Sequence, residues 1–496
     1  MDATISVDRS AVVAGVQVKT GLYVGGRWRA SEDASWFDVV DPSTGKVIAA
    51  VADATPSDAI AALGSAAAAQ ASWGRSSARR RAEILRAAFE AVTARREEFA
   101  SVITAEMGRP YAQSLGEVDY GAEFLRWFAE QAAHVHGEFA ASPNGDFTIA
   151  TTRVPVGPSL LITPWNFPLA MGTRKIGAAL AAGCTVIVKP AEQTPLTMAL
   201  LVDVLAQAGV PDGVVNFVPT TRAADQSETL MRDARLRKVS FTGSTPVGSR
   251  LLEQAARNVM RSSMELGGNG PFLVLRDADV PSAVNGAMVA KFRNGGQSCV
   301  AANRFIVHEA VAEEFIEGLV KRTSALVVAD GTAPVADIGP LIDDRQRQRV
   351  QRLVDDAVAS GAQLHTGGWA LPGDGYFYAP TVLTHVPVSA PIMREEVFGP
   401  VATVTVAASD DDAIDLANDT PFGLVAFVYT QNMARALDAT SRLDAGMIGV
   451  NRGLVSEAGA PFGGIKASGL GREGGHTGID EYLETKYLAI DTTVPA

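Results

Sequence analysis

The stretch Thr185-Val186-Ile187-Val188-Lys189-Pro190-Ala191-Glu192 decides the fold. A short, β-branched apolar run reads as a strand buried on both faces. A lysine and a glutamate follow at once, placing charge at the C-terminal end of the strand, where open α/β sheets bind ligands. The pattern repeats on either side. Upstream lie a strand at Ser159-Leu160-Leu161-Ile162 and a buried helix over 169–182. Downstream come a helix over 196–208, a strand at 214–218, a helix near 225–233, a strand at 238–241 and a helix over 246–258. Repeated βα units imply a parallel sheet covered on both faces. A second series begins near 267. It predicts strands at 271–275, 304–307, 401–406, 424–429 and 446–450, with helices at 281–292, 310–326, 344–359, 411–418 and 432–442.

Ahead of these units, residues 1–20 carry little pattern and read as a loose arm. Residues 21–54 read as short strands and turns, and an Ala-rich helix follows Ser57. One long helix is expected from about Ala78 to the stop at Gly108-Arg109-Pro110, with Leu85, Phe89, Val92, Phe99 and Ile103 on one face. Another helical stretch reaches His136. Residues 146–155 alternate like an exposed or edge strand, and Tyr487-Leu488-Ala489-Ile490 reads as a strand able to reach a neighbouring chain.

With 496 residues, 47% hydrophobic and 20% charged, the chain can bury a large core over two or three domains. A net charge of −12 argues against binding nucleic acid or an anionic membrane. Cys184 and Cys299 cannot form a disulfide framework and suit a reducing compartment. Of the histidines only His134 and His136 are close, and a spacing of two does not share a helix face, so no metal site is expected. No basic stretch precedes a long apolar run at the N-terminus, and the apolar stretch Ile176 to Val188 is too short to span a bilayer. A soluble, cytoplasmic protein is the expectation.

Cys299 closes the glycine-rich stretch Asn294-Gly295-Gly296-Gln297-Ser298-Cys299. A thiolate is a strong nucleophile near neutral pH, and glycines let ligands approach the backbone. A lone cysteine is nevertheless more often a core residue. Phe241-Thr242-Gly243-Ser244-Thr245-Pro246-Val247-Gly248 follows a strand and opens a helix whose free N–H groups could take a phosphate. Its G-x-x-x-x-G spacing is neither the G-x-G-x-x-G fingerprint nor a P-loop. Glu192 could accept hydrogen bonds from two ribose hydroxyls. In Thr163-Pro164-Trp165-Asn166-Phe167-Pro168, the Asn166 amide could stabilise an oxyanion. Met264-Glu265-Leu266-Gly267-Gly268-Asn269 sets a carboxylate among apolar residues and glycines, a candidate general base with a raised pKa. Arg394-Glu395-Glu396-Val397-Phe398-Gly399-Pro400 joins paired carboxylates to an aromatic and a turn. Each stretch alone also reads as an ordinary loop or turn.

In this order, and with Pro461-Phe462-Gly463-Gly464-Ile465-Lys466-Ala467-Ser468-Gly469, these motifs resemble the aldehyde dehydrogenase superfamily from about residue 20 to 490. The resemblance implies an α/β fold in three parts. A Rossmann-like parallel-sheet, dinucleotide-binding domain would span 1–139 and 157–266, a second α/β catalytic domain 267–466, and a small β oligomerisation arm 140–156 with 480–496. It implies that Cys299 attacks an aldehyde, that the Asn166 amide and the Cys299 N–H hold the oxyanion, and that Glu265 activates the water that releases the acid. Lys189 and Glu192 would hold the adenosine ribose, and Trp165 and Ser244 would lie near the pyrophosphate. Glu396 would bind the nicotinamide ribose with Phe398 beside it, and Thr163, Pro164, Gly243 and Leu266 would also bind the cofactor. A carboxylate at Glu192 would repel a 2′-phosphate, which favours NAD over NADP.

Arg174 and Arg293 narrow the aldehyde, because guanidinium groups read carboxylates in bidentate fashion. Together with Ser456 they resemble the branch of the superfamily that oxidises succinate semialdehyde, as in 4-aminobutyrate breakdown. Glutarate semialdehyde, one methylene longer, and a broader aldehyde range are the alternatives; a methylene discriminates only about 10- to 200-fold. A cysteine hydrolase or acyltransferase would need a base such as histidine, and no histidine lies in these motifs. The implied partners are a small carboxylated aldehyde and, as in the family, one or three further copies of the chain. Where some relatives carry a second cysteine two residues after the nucleophile, this chain has Ala301, so no redox disulfide is expected there.

Overall fold

The computed structural model describes residues 9–491. Its centre is an eight-stranded sheet. In spatial order the strands are Gly469–Leu470, Arg261–Glu265, Lys238–Thr242, Ser159–Ile162, Val186–Lys189, Val215–Phe217, Leu22–Val24 and Arg27–Arg29. The middle five run parallel; Gly469–Leu470 and Leu22–Val24 run antiparallel to them, and Arg27–Arg29 runs antiparallel to Leu22–Val24. Val186–Lys189 is buried at all four positions, as its uninterrupted apolar run requires. The helix Ala170–Ala182 is likewise buried throughout, so it shows no polar stripe.

A seven-stranded sheet follows, ordered Gln363–Thr366, Thr381–Thr384, Val401–Ala407, Ala302–His308, Gly270–Val274, Val425–Tyr429 and Met447–Val450. It is parallel except at the Gln363–Thr366 edge. Only Leu266, Gly267, Gly268 and Asn269 separate the last parallel strand of the first sheet from the first strand of the second. Phe272, Phe305, Phe315 and Tyr429 pack together in its core, with Phe272 and Tyr429 stacked at 4.8 Å.

Several elements differ from expectation. Residues 1–8 of the expected loose arm lie outside the described residues. Beyond them Ser10–Val13 and Val16–Lys19 form an antiparallel hairpin that buries Val13, Val16 and Val18. Its turn is Ala14-Gly15, both at positive φ, as a tight hairpin requires. The long helix is two, Ala78–Ala94 and Arg96–Met107, because Arg95 alone leaves helical geometry. A one-residue break leaves the apolar spacing nearly intact and so escapes a periodicity reading. Arg261–Glu265 went unforeseen because Arg261-Ser262-Ser263 is polar; Ser263 is buried there and accepts from Lys238 Nζ at 3.0 Å.

Leu483–Ile490 pairs antiparallel with Thr148–Pro155 of its own chain at eight successive positions, with Phe139–Ala141 on the far side. The C-terminal strand therefore starts earlier than expected and finds its first partner at home. Its other edge has no partner among the described residues. No helix among the described residues is long and apolar enough to cross a membrane.

Candidate active site

The two sheets meet at an open cleft of about 160 Å³. Pro164, Trp165, Asn166, Gly243 and Ser244 form its first-sheet wall. Glu265 and Leu266 lie at the crossing between sheets, and Cys299, Glu396 and Phe398 face them. Asn294, Gly295 and Gly296 all hold left-handed backbone, with φ of 55°, 60° and 73°. A Cβ on Gly296 would lie 2.2 Å from the Gly399 carbonyl oxygen, and one on Gly268 2.5 Å from that of Cys299. These glycines exist so that three distant motifs can touch backbone to backbone.

Cys299 is half-buried. Burial pushes its thiol up to about 12; the Arg174 charge pulls it back, while Glu396 and Glu265 add to the rise. Glu265 is buried, and neither carboxyl oxygen has a hydrogen-bond partner among the described residues. Burial, and then the nearby Glu473, hold its carboxyl well above the usual range. Glu473 itself stays low: burial opposes its charge, but Lys175 and Arg174 outweigh that. Two close carboxyls in one buried site thus shift in opposite directions, Glu265 upward and Glu473 downward. Asn166 Nδ2 donates to the Gln297 carbonyl oxygen at 3.1 Å, which leaves its second hydrogen for the cleft.

The helix Thr245–Ala256 begins at Ser244, which is exposed and makes no side-chain cap. Its first N–H groups are therefore open to an anion. Trp165 and Phe398 meet edge to face at 5.2 Å, and Phe398 holds a strained φ of 52°. Glu396 Oε1 accepts from Gly268 N at 3.2 Å, and burial lifts its carboxyl to about 7. Thr163, Lys189 and Glu192 do not line the cleft. Thr163 N bonds the Lys189 carbonyl oxygen at 3.1 Å at the sheet's C-terminal edge. Lys189 is buried, and that burial lowers its ammonium.

The two predicted substrate arginines differ. Arg174 is fully buried, and its Nε sits 2.5 Å from Glu473 Oε2. Its Nη1 is buried without a hydrogen-bond partner among the described residues. Arg293 is half-buried and makes no ion pair or hydrogen bond among the described residues; it lies over the Phe167 ring at 5.4 Å. Ser456 is half-buried nearby, and the Tyr120 hydroxyl, which has no well-formed hydrogen bond, faces Arg174, Arg293 and Ser456.

A family model described as "Aldehyde dehydrogenase family" matches residues 28–488. This chain belongs to the aldehyde dehydrogenase family. Succinate-semialdehyde dehydrogenase of Paenarthrobacter nicotinovorans is 53% identical to it over 444 residues, 90% of this chain and 99% of that protein. Glutarate-semialdehyde dehydrogenase of Pseudomonas putida is 41% identical over 468 residues, 94% of this chain and 97% of that one. A structure of betaine aldehyde dehydrogenase from Staphylococcus aureus in complex with NAD+ aligns with a TM-score of 0.94 at 32% identity, covering 97% of this chain and 96% of that chain.

Several residues around this aldehyde dehydrogenase's cleft carry no sequence signal. Glu473 lies beyond the recognisable motifs and reaches Lys175 across 298 positions. Tyr120 reads as one more residue of the helix Tyr111–Gln131. Lys175 adjoins Arg174, and its pairing with Glu473 is what places it at the site. Cys184 is core, donating through Sγ to the Tyr482 carbonyl oxygen at 3.3 Å.

Proposed function

We propose that this enzyme oxidises succinate semialdehyde to succinate with NAD. The observation that carries the reading is a set of donors without an acceptor: Arg293, Arg174 Nη1 and the Tyr120 hydroxyl, grouped beside Cys299 with Ser456. Such a group attracts a carboxylate at the far end of a short aldehyde. The 53% identity to a succinate-semialdehyde dehydrogenase supports the same choice.

Cys299 Sγ attacks the aldehyde carbon and forms a thiohemiacetal. The Asn166 amide and the Cys299 N–H donate to the new oxyanion, each such donor being worth roughly 3 kcal/mol. The residues fit a dinucleotide: an open helix N-terminus at Ser244 for the pyrophosphate, and the Glu396 carboxylate for a ribose. NAD supplies, when bound, the hydride acceptor that the oxidation needs. Glu265 then takes a proton from the water that hydrolyses the thioester on Cys299. A neutral Glu265 cannot do this, so its ionisation gates release of the acid.

The reading extends to architecture: dinucleotide-binding over 1–139 and 157–266, catalytic over 267–466, and an oligomerisation arm over 140–156 with the C-terminal strand. The test is kcat/KM for succinate semialdehyde, glutarate semialdehyde and butanal with NAD and with NADP. Succinate semialdehyde with NAD should rank first, and Arg293→Ala should lower it at least ~10-fold while sparing butanal. A wild-type preference for butanal sinks the substrate assignment, and a preference for NADP sinks the cofactor assignment.

A further inference from the structure

Arg109 was legible only as part of a helix stop, yet it is 2% exposed and committed on every side. Its Nε donates to Asn294 Oδ1 at 2.9 Å, its Nη2 to the Asn166 carbonyl oxygen, and its Nη1 pairs with Glu117. The face of the guanidinium lies 4.4 Å from the Phe167 ring centroid. Asn294 Nδ2 returns to the same Asn166 carbonyl oxygen at 3.0 Å and to the Gln297 carbonyl oxygen at 3.0 Å. Glu117 Oε1 accepts from Leu169 N at 2.9 Å and Ala170 N at 3.2 Å, at the start of the helix that carries Arg174. One buried ion pair thus ties the Asn166 loop, the nucleophile loop and the Arg174 helix together, and Arg109 does not line the cleft.

We propose that Arg109 is a positioning residue for the oxyanion donor. By gripping the Asn166 carbonyl oxygen and Asn294 at once, it fixes where the Asn166 amide stands relative to Cys299 Sγ. It never touches the substrate. A planar fork suits three acceptors in one plane, which an ammonium cannot reproduce. Misplacement of a reacting group by about 1 Å costs on the order of 100-fold in rate. This inference rests on the oxyanion role proposed above for Asn166.

The test uses the full-length enzyme as Arg109→Lys, Asn166→Ala and the double variant. Three readouts are taken: the rate of the first-turnover NADH burst with succinate semialdehyde, the rate of Cys299 alkylation by iodoacetamide, and the melting temperature. Alkylation needs the thiolate but no oxyanion donor, so a merely structural loss would move it and a positioning loss would not. Arg109→Lys should slow the burst about 10- to 100-fold, leave alkylation within about two-fold, and add less than about two-fold in the Asn166→Ala background. Asn294→Asp keeps the acceptor for Arg109 and loses the donors to Asn166 and Gln297. It should reproduce the slow burst, and it carries the test if Arg109→Lys does not fold. Alkylation slowed in parallel, or full additivity with Asn166→Ala, overturns the role of Arg109 alone. An Asn166→Ala enzyme with an unchanged burst overturns the oxyanion reading and this inference with it.

Discussion

In the proposed mechanism Cys299 and Glu265 face the same obstacle: each must lose a proton in a place that disfavours charge. The thiol is pushed up to about 12 and the Glu265 carboxyl lies well above its usual range. An acid with a raised pKa gives its anion only as pH climbs toward that pKa. Both steps that use these groups therefore quicken with pH: the burst rate, which depends on Cys299, and kcat, which depends on Glu265 through release of the acid, should each rise from about pH 6 to about pH 9 in a pH–rate profile. A flat profile over that range would contradict the account. Glu265→Gln should allow one NADH per site and then stall, with turnover down about 100- to 10,000-fold; Cys299→Ala should give no burst at all. Glu192→Ser should raise kcat/KM with NADP relative to NAD, since it removes the carboxylate expected at the 2′ position. Cys299, Glu265 and Asn166 were legible as candidates because each stands beside a glycine- or proline-marked stretch. Glu473, Tyr120 and Glu117 were not, because what makes them part of the site is contact across the fold.

At the level of elements, the loop from Asn294 to Cys299 is the most constrained part of the site. Three successive left-handed residues turn the chain so that Gly296 lies against Gly399. Gly296→Ala puts a Cβ 2.2 Å from that carbonyl oxygen and also asks an L-residue to hold a φ of 73°. The two effects together should cost about 2–5 kcal/mol. A lower melting temperature and a loss of burst rate with NAD would be measured together, because the same shift moves Phe398 next door. Strands with unbroken apolar runs were readable to within a residue or two. Arg261–Glu265 was not, since its buried Ser263 is satisfied by Lys238, a partner no local pattern reveals. Arg95 illustrates the opposite failure: the apolar stripe continues across a break that only the backbone records.

For the whole molecule, the alternation of strand and helix was enough to give two parallel sheets, but not their flanking strands. Those flanks come from short segments with little pattern, such as Gly469–Leu470. Among the described residues the C-terminal strand leaves an unpaired edge with Tyr487 56% and Ile490 40% exposed, a surface that asks for a further strand or chain. Sedimentation of the full chain should give a multiple of its 51.9 kDa mass, and a chain ending at Tyr482 should give a smaller particle. A full-length monomer would remove the arm from the account of assembly.

Gly469–Leu470 closes the first sheet beside Arg261–Glu265. On a translating ribosome that neighbour emerges about 200 residues later, some 10–40 s at ordinary elongation rates. Throughout that interval the outer edge of the nascent sheet, ending in Glu265, is bare. Chains truncated before residue 469 should therefore aggregate rather than yield a folded half-protein, which pelleting of the expressed fragments would show.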